Sequence, residues 1–337
     1  APQTIEGLGT AIFPTSAKSD AAQTAFMRGL LLLHLFEYPT AAKAFEQAEK
    51  LQPDFAMAYW GEAMTYNHGI WNQLDADAGR TALGRLGANP TARAAKAPTP
   101  REKAYLAAVE ILYSGNGTKP ERDARYDQAM ERLAKAYPHD NNAQLFHALA
   151  LMGRSEGVRD IPAYLRAGAI AEHIFRLNPQ DPGAAHYWIH AMDDPTHAAA
   201  ALEPAHALSK IAPDAAHAQH MTSHIFMALG LWDDVAKANE VAMPFDDMEP
   251  IVSMCPKCAH ERRTEQENQR AAMAQRQQRA RFKSAVAAAQ IPVRYADVSL
   301  DSYVAGQRGQ RMVLTVCTAY AASWAAQLAR GGSLILT

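Results

Sequence analysis

Residues 25–53 read AFMRGLLLLHLFEYPTAAKAFEQAEKLQP, and their spacing decides the fold. Two apolar stripes at helical period flank a turn at Tyr38-Pro39, where proline cannot continue the first helix. Gly29 stands where two antiparallel helices need close approach. Ala41 is the small residue at their crossing, Phe45 and Ala48 face inward, and Pro53 stops the second helix. Small, large and helix-stopping residues fall at the offsets that a helical hairpin requires.

Further prolines recur in similar contexts: Pro138 in AYPHD, Pro179 in LNPQD and Pro213 in IAPDA. The segments between them read as helix pairs, predicted near 21–35, 40–51, 54–68, 102–113, 121–137, 141–153, 161–177, 182–193, 197–211, 214–229 and 233–243. Strand-type alternation is nearly absent, so the fold class is all-α. The spacing resembles the tetratricopeptide (TPR) repeat, which implies an α-solenoid of five or six helix-turn-helix units over residues 1–250. The stretch from Asp75 to Pro100, rich in Gly, Pro, Ala and Thr, is expected to be its least regular part.

The chain has 337 residues, of which 48% are hydrophobic, enough for a sizeable core. Its net charge of −2 offers no polyanion-binding field, which argues against nucleic acid. The longest apolar run, Gly29 to Leu35, is too short to span a bilayer. Three cysteines do not make a disulfide framework. The start at Ala1-Pro2 without Met suits removal of an export signal and a periplasmic or secreted location.

Seven of thirteen histidines lie between Gly183 and Gly230. His186 and His190 are four apart, as are His220 and His224, and the pairs are offset by 34 residues, one repeat (186 + 34 = 220; 190 + 34 = 224). In a TPR solenoid the first helix of each repeat lines the concave groove. Counted from the preceding proline, groove positions take His186, His190, His217, His220 and His224, together with Trp60, Met64 and His68 after Pro53. His34 lies 34 residues before His68 and is expected to be its equivalent. His197 and His206 fall on a second helix, away from the groove. His173 reads as packing or surface, and His147 lies off the stripe.

Two histidines at i and i+4 share one helix face and can bind one metal ion. Neighbouring first helices pack close enough for His186, His190, His220 and His224 to converge, with His217 in reserve. Asp193 or Asp194, in the turn HAMDDP, would serve as ligand or as the acceptor that fixes a histidine tautomer. Nitrogen-rich ligation suits copper or zinc better than magnesium or calcium. The competing expectations are histidines used as core filler, or a groove whose histidines titrate near neutrality around a bound peptide or small molecule.

The strings FEYPTAAKAFEQAEKLQPDFAMAYWGEAMTYNHGIW (36–71) and HYWIHAMDDPTHA (186–198), followed by HAQHMTSHIF (217–226), resemble a group of bacterial TPR proteins. The likeness covers about residues 20–245 and implies a fold and a special histidine set, not a reaction.

After Pro250 the composition changes. Between Cys255 and Gln290 stand eight Lys/Arg against three Glu. With CPKCAHERR and the run from Ile291 to Thr337, residues 251–337 resemble the start of the ATPase domain of DnaC-type helicase loaders. The glycine-rich phosphate loop is absent from the sequence, so no nucleotide cofactor is expected. Cys255, Cys258 and His260 make half of a zinc site. The leading expectation is thus a solenoid whose histidines bind a transition metal, with use as the centre of an enzyme left open. The rivals are a non-enzymatic scaffold with a protein or peptide in the groove and, from the tail alone, a replication-associated loader.

Overall fold

The computed structural model describes residues 2–154, 159–242, 304 and 306–322. The chain divides into two compact units, Ala1–Glu261 and Arg262–Thr337. In the second, the described residues form one helix, Arg308–Ala322 (α14), with Met312, Val313 and Val316 exposed. Cys255, Cys258, His260 and the basic run lie outside the described residues.

The first unit opens with a short antiparallel hairpin, β1 (Gln3–Ile5) and β2 (Gly9–Ala11), pairing Thr4 with Thr10. Helical hairpins follow: α1 (Asp20–His34) with α2 (Tyr38–Leu51), and α3 (Ala56–Thr65) with α4 (Ala76–Leu86). After the single-turn α5 (Pro90–Ala94) come α6 (Pro100–Tyr113) with α7 (Lys119–Ala136), and α8 (Asn141–Gly153) with α9 (Ile161–Leu177). The array continues as α10 (Pro182–Met192) with α11 (Leu202–Ile211), and α12 (Ala216–Ala228) with α13 (Trp232–Ala242). From α1 to α4 and from α5 to α13 each helix packs on the next, α4 also packs on α6, and first helices meet one another, as α1 on α3 and α10 on α8 and α12. This is an all-α, TPR-like solenoid. Among the described residues no helix is long and apolar enough to cross a membrane.

Helix starts follow local chemistry. The Pro-x-Asp signals at 138–140 and 179–181 place Asp140 and Asp181 as N-caps, their carboxylates accepting from Ala143 and Ala184 backbone N–H groups. The prolines end the preceding helix, and the aspartates begin the next. Pro213 lacks this partner: Ala215 precedes α12 and offers no side-chain cap. Glu37, from the α1–α2 turn, supplies one instead, accepting at Oε1 from the His217 backbone N–H at 2.9 Å.

Two sequence expectations need correction here. The irregular stretch after Asp75 holds α4, the second helix of a hairpin, followed by α5. Side chains of Asp75 and Asn89 cap them, and Ala82, Leu83 and Leu86 bury one face of α4. Conversely, the helix expected to reach residue 68 stops at Thr65. A small loop takes over, with β3 (Asn67–His68) pairing β4 (Gln73–Leu74) around a 3-10 turn at Gly69–Trp71 and a left-handed Asn72.

α1 also makes contacts across the array. α1 packs on α10 as well as on α2 and α3, and residues 3–18 run as a strap along the hairpin ends. Thr10 N–H donates to the Gln180 carbonyl, Asn178 Nδ2 to that of Thr10, Asn142 Nδ2 to that of Ile12, and Asp214 N–H to that of Gly7. Phe13 of the strap sits against Phe26, Trp60 and Tyr105. Trp60 and Met64, expected to line a groove, are therefore core. An apolar stripe left open to water would cost the burial free energy of each ring, and the strap covers it.

Candidate metal centre

α1 ends in a Schellman motif: Glu37 N–H donates to the Leu32 carbonyl and Phe36 N–H to that of Leu33. The residue in the left-handed position is Phe36, at φ 59°. At the end of α12 the same pair of bonds, Leu231 to Phe226 and Gly230 to Met227, uses Gly230 at φ 73°. A phenylalanine where glycine is the unstrained choice costs about 1–2 kcal/mol. In return the ring is held in the middle of a histidine cluster: its centroid lies 4.6 Å from His186, 5.2 Å from His190 and 5.6 Å from His217.

That cluster is the one group of three or more His, Cys, Asp or Glu side chains among the described residues whose ligand atoms all lie within 4.8 Å of one another. α10 presents His186 and His190 one turn apart. His217 comes from the first turn of α12, where Glu37 holds its backbone, and its ring stacks on His190 at 5.9 Å and 15°. His186 Nδ1 lies 2.7 Å from the His34 carbonyl, which can only accept. The proton is therefore on Nδ1 and the Nε2 lone pair faces His190 Nε2, 3.1 Å away. Burial, opposed in part by that hydrogen bond, lowers the His186 pKa to about 4, so the ring is neutral at pH 7. Burial also pushes the Glu37 carboxyl upward, against the pull of the His217 N–H.

Aromatic rings close the outside. Trp71, on the 3-10 turn, sets its edge toward His190 at 6.3 Å and His217 at 5.7 Å. Tyr38 stacks on Phe36 at 5.4 Å.

His220 and His224 do not join the trio. They form a separate pair, Nε2 to Nε2 at 3.3 Å, toward α13. Asp193 Oδ2 lies 3.0 Å from His224 Nδ1, so this carboxylate is placed as an acceptor behind a histidine. Asp194 instead bonds His197 and pairs with Arg159. The expectation of four convergent rings took His220 and His224 as the α12 partners of the α10 pair, and the structure groups His217 with that pair instead. The α12 residue that meets the α10 pair is the one a turn earlier, His217.

His34 and His68 are not equivalent. His34 is buried, with its ring between Tyr187 Oη and Asn142 Oδ1, each 2.9 Å away. Asn142 Nδ2 donates to the Ile12 carbonyl, which turns Oδ1 toward His34; His34 Nε2 therefore donates and Nδ1 accepts from Tyr187. Its contribution to the cluster is its backbone carbonyl. His68 stacks on Tyr38 at 3.9 Å and donates from Nε2 to the Thr65 carbonyl. His147 faces Asp127, and His206 packs on Phe226. Sequence reading missed Phe36, Glu37 and Trp71. Only an aromatic residue at a helix C′ position hints at the first.

No family model matches the chain, and no curated protein does. A solved structure to which it is similar is PilW, a widely conserved type IV pilus biogenesis factor, at 16% identity and a TM-score of 0.34, covering 65% of this chain and 91% of PilW. The role in pilus biogenesis is PilW's.

Proposed function

We propose that the TPR-like solenoid holds one transition-metal ion, copper or zinc, on His186, His190 and His217. The observation that carries this reading is the convergence of three imidazoles within 4.8 Å, one with its Nδ1 proton fixed on a backbone carbonyl. Metal-binding histidines commonly donate their second ring N–H to such an acceptor, which orients the ring and raises its basicity. Neutral nitrogen donors in an apolar shell select zinc, copper or nickel over hard cations. Metal–nitrogen bonds of about 2.0–2.1 Å at a tetrahedral angle separate two ligand atoms by about 3.3 Å, near the 3.1 Å between His186 and His190 Nε2.

Three protein ligands leave a fourth tetrahedral position for water or substrate, the arrangement that catalytic zinc sites use. This supports Lewis-acid or hydroxide chemistry at the fourth position as the enzymatic form of the reading. Trp60 and Met64, the residues expected to meet a peptide in the groove, are buried, so a peptide partner would take another face.

The test is metal content by elemental analysis after zinc or copper loading, with circular dichroism as a check on folding. His190→Ala and His217→Ala should each lose one equivalent relative to the parent. Equal metal content in parent and variants would sink the reading.

A further inference from the structure

We infer that His220 and His224 form a second, separate metal site, independent of the His186, His190 and His217 centre. The argument is one of proton positions. His224 Nδ1 lies 3.0 Å from Asp193 Oδ2, and a carboxylate oxygen can only accept, so the proton is on His224 Nδ1. His220 Nδ1 lies 2.9 Å from Asn239 Oδ1. The Asn239 amide is not free to turn over: its Nδ2 donates to the Val235 carbonyl on the same helix, at 2.9 Å, which leaves Oδ1 facing the imidazole. The His220 proton is on Nδ1 too.

With both rings neutral, the Nε2 lone pairs face each other 3.3 Å apart. That spacing suits a shared cation, either a proton or a metal ion. The separation matches the roughly 3.3–3.4 Å that two metal–nitrogen bonds subtend at a tetrahedral angle. Asp193 and Asn239 are the acceptors behind the rings, a carboxylate–histidine and an amide–histidine pair of the kind that fixes metal-binding tautomers. His220 is half buried and His224 buried, and water or a further protein group would complete the coordination. The donor set is again neutral nitrogen, which selects zinc, copper or nickel. The 34-residue offset makes this pair the repeat counterpart of His186 and His190, with side-chain acceptors in place of a backbone carbonyl.

Zinc alone is the probe, titrated calorimetrically into the metal-stripped full chain. Two equivalents are expected. His220→Ala with His224→Ala should remove the second and leave the first; His186→Ala with His217→Ala should do the reverse. Asp193→Asn should weaken the second site roughly 10–100-fold without changing the count. Long-range proton–nitrogen spectra of the parent need no variant: zinc should shift Nε2 of both His220 and His224 while both Nδ1 atoms stay protonated. A single equivalent abolished by His186→Ala would overturn the second site and leave the first standing. A His224 imidazolium sharing its proton with His220, unchanged by zinc, would overturn it as well.

Discussion

Phe36 and His34 are two residues apart, and each shows what a single side chain can decide. Phe36 adopts a backbone conformation meant for glycine, with its ring against three imidazoles. Replacing it loses the ring in either case, a cost of about 3–5 kcal/mol. Phe36→Gly relieves the left-handed strain and Phe36→Ala does not. Urea unfolding should therefore rank Phe36→Gly above Phe36→Ala by about 1 kcal/mol, the reverse of the usual order of these residues. His34 makes a pH prediction. Burial, only partly offset by Asn142, lowers its pKa from 6.5 to about 4. The unfolded chain thus takes up this proton near pH 6.5, and the folded one only near 4. Stability is intact above 6.5 and is lost as pH falls toward 4, by on the order of 3 kcal/mol from this ring. Urea midpoints of chelator-treated parent and His34→Gln protein from pH 8 to 4 check it; the same pH dependence in both would refute it. His34 was visible in the sequence as a histidine in register with others. Its bonds to Asn142 and Tyr187 were not, because no local rule spans such separations.

At the level of helices, the repeat was legible because it is local. Gly29, Ala41, Phe45 and Pro53 are near one another in sequence, and Gly29 packs directly on Phe45. A Cβ on Gly29 would stand 2.8 Å from the Phe45 ring, and one on Gly61, in the next repeat, would stand closer still. The Phe45 ring is itself held by Phe26 and has little room to yield. Gly61→Ala should destabilise the array by roughly 1–3 kcal/mol through overpacking. Gly61→Ala with Phe45→Leu should cost less than the sum of the two single changes, the sign of a shared clash in a double-mutant cycle. Helix faces also followed from the repeat period, which brought out the two histidine pairs. What the period could not give is which pair meets which neighbour, since that depends on the rotation between α10 and α12. The missing cap on α12 was equally readable, but not that Glu37, 180 residues earlier, fills it.

Over the whole array, the strap is the feature least visible in the sequence. Its residues have no helical period, and their bonds go to backbone groups and capping side chains at the ends of distant helices. Removing residues 2–13 would expose the pocket of Phe13 and leave Asn142 and Asn178 without their carbonyl partners. At 3–5 kcal/mol for the ring alone, the melting temperature should fall by roughly 10 °C or more in scanning calorimetry. A smaller change would mean that the strap lies on the surface without holding it.

Packing α1 against α10 has a kinetic consequence. Solenoids whose repeats touch only their neighbours can fold from one end as each unit appears. Here His34 waits for Asn142 and Tyr187, which follow it by 108 and 153 residues. At synthesis rates of about 5–20 residues per second, the second of these arrives roughly 8–30 s after His34 itself. During that interval Leu30, Leu31, Leu32 and Leu33, all buried in the finished protein, lack part of their cover. The nascent chain therefore spends many seconds with a leucine-rich helix incompletely shielded, a window in which a chaperone has something to hold.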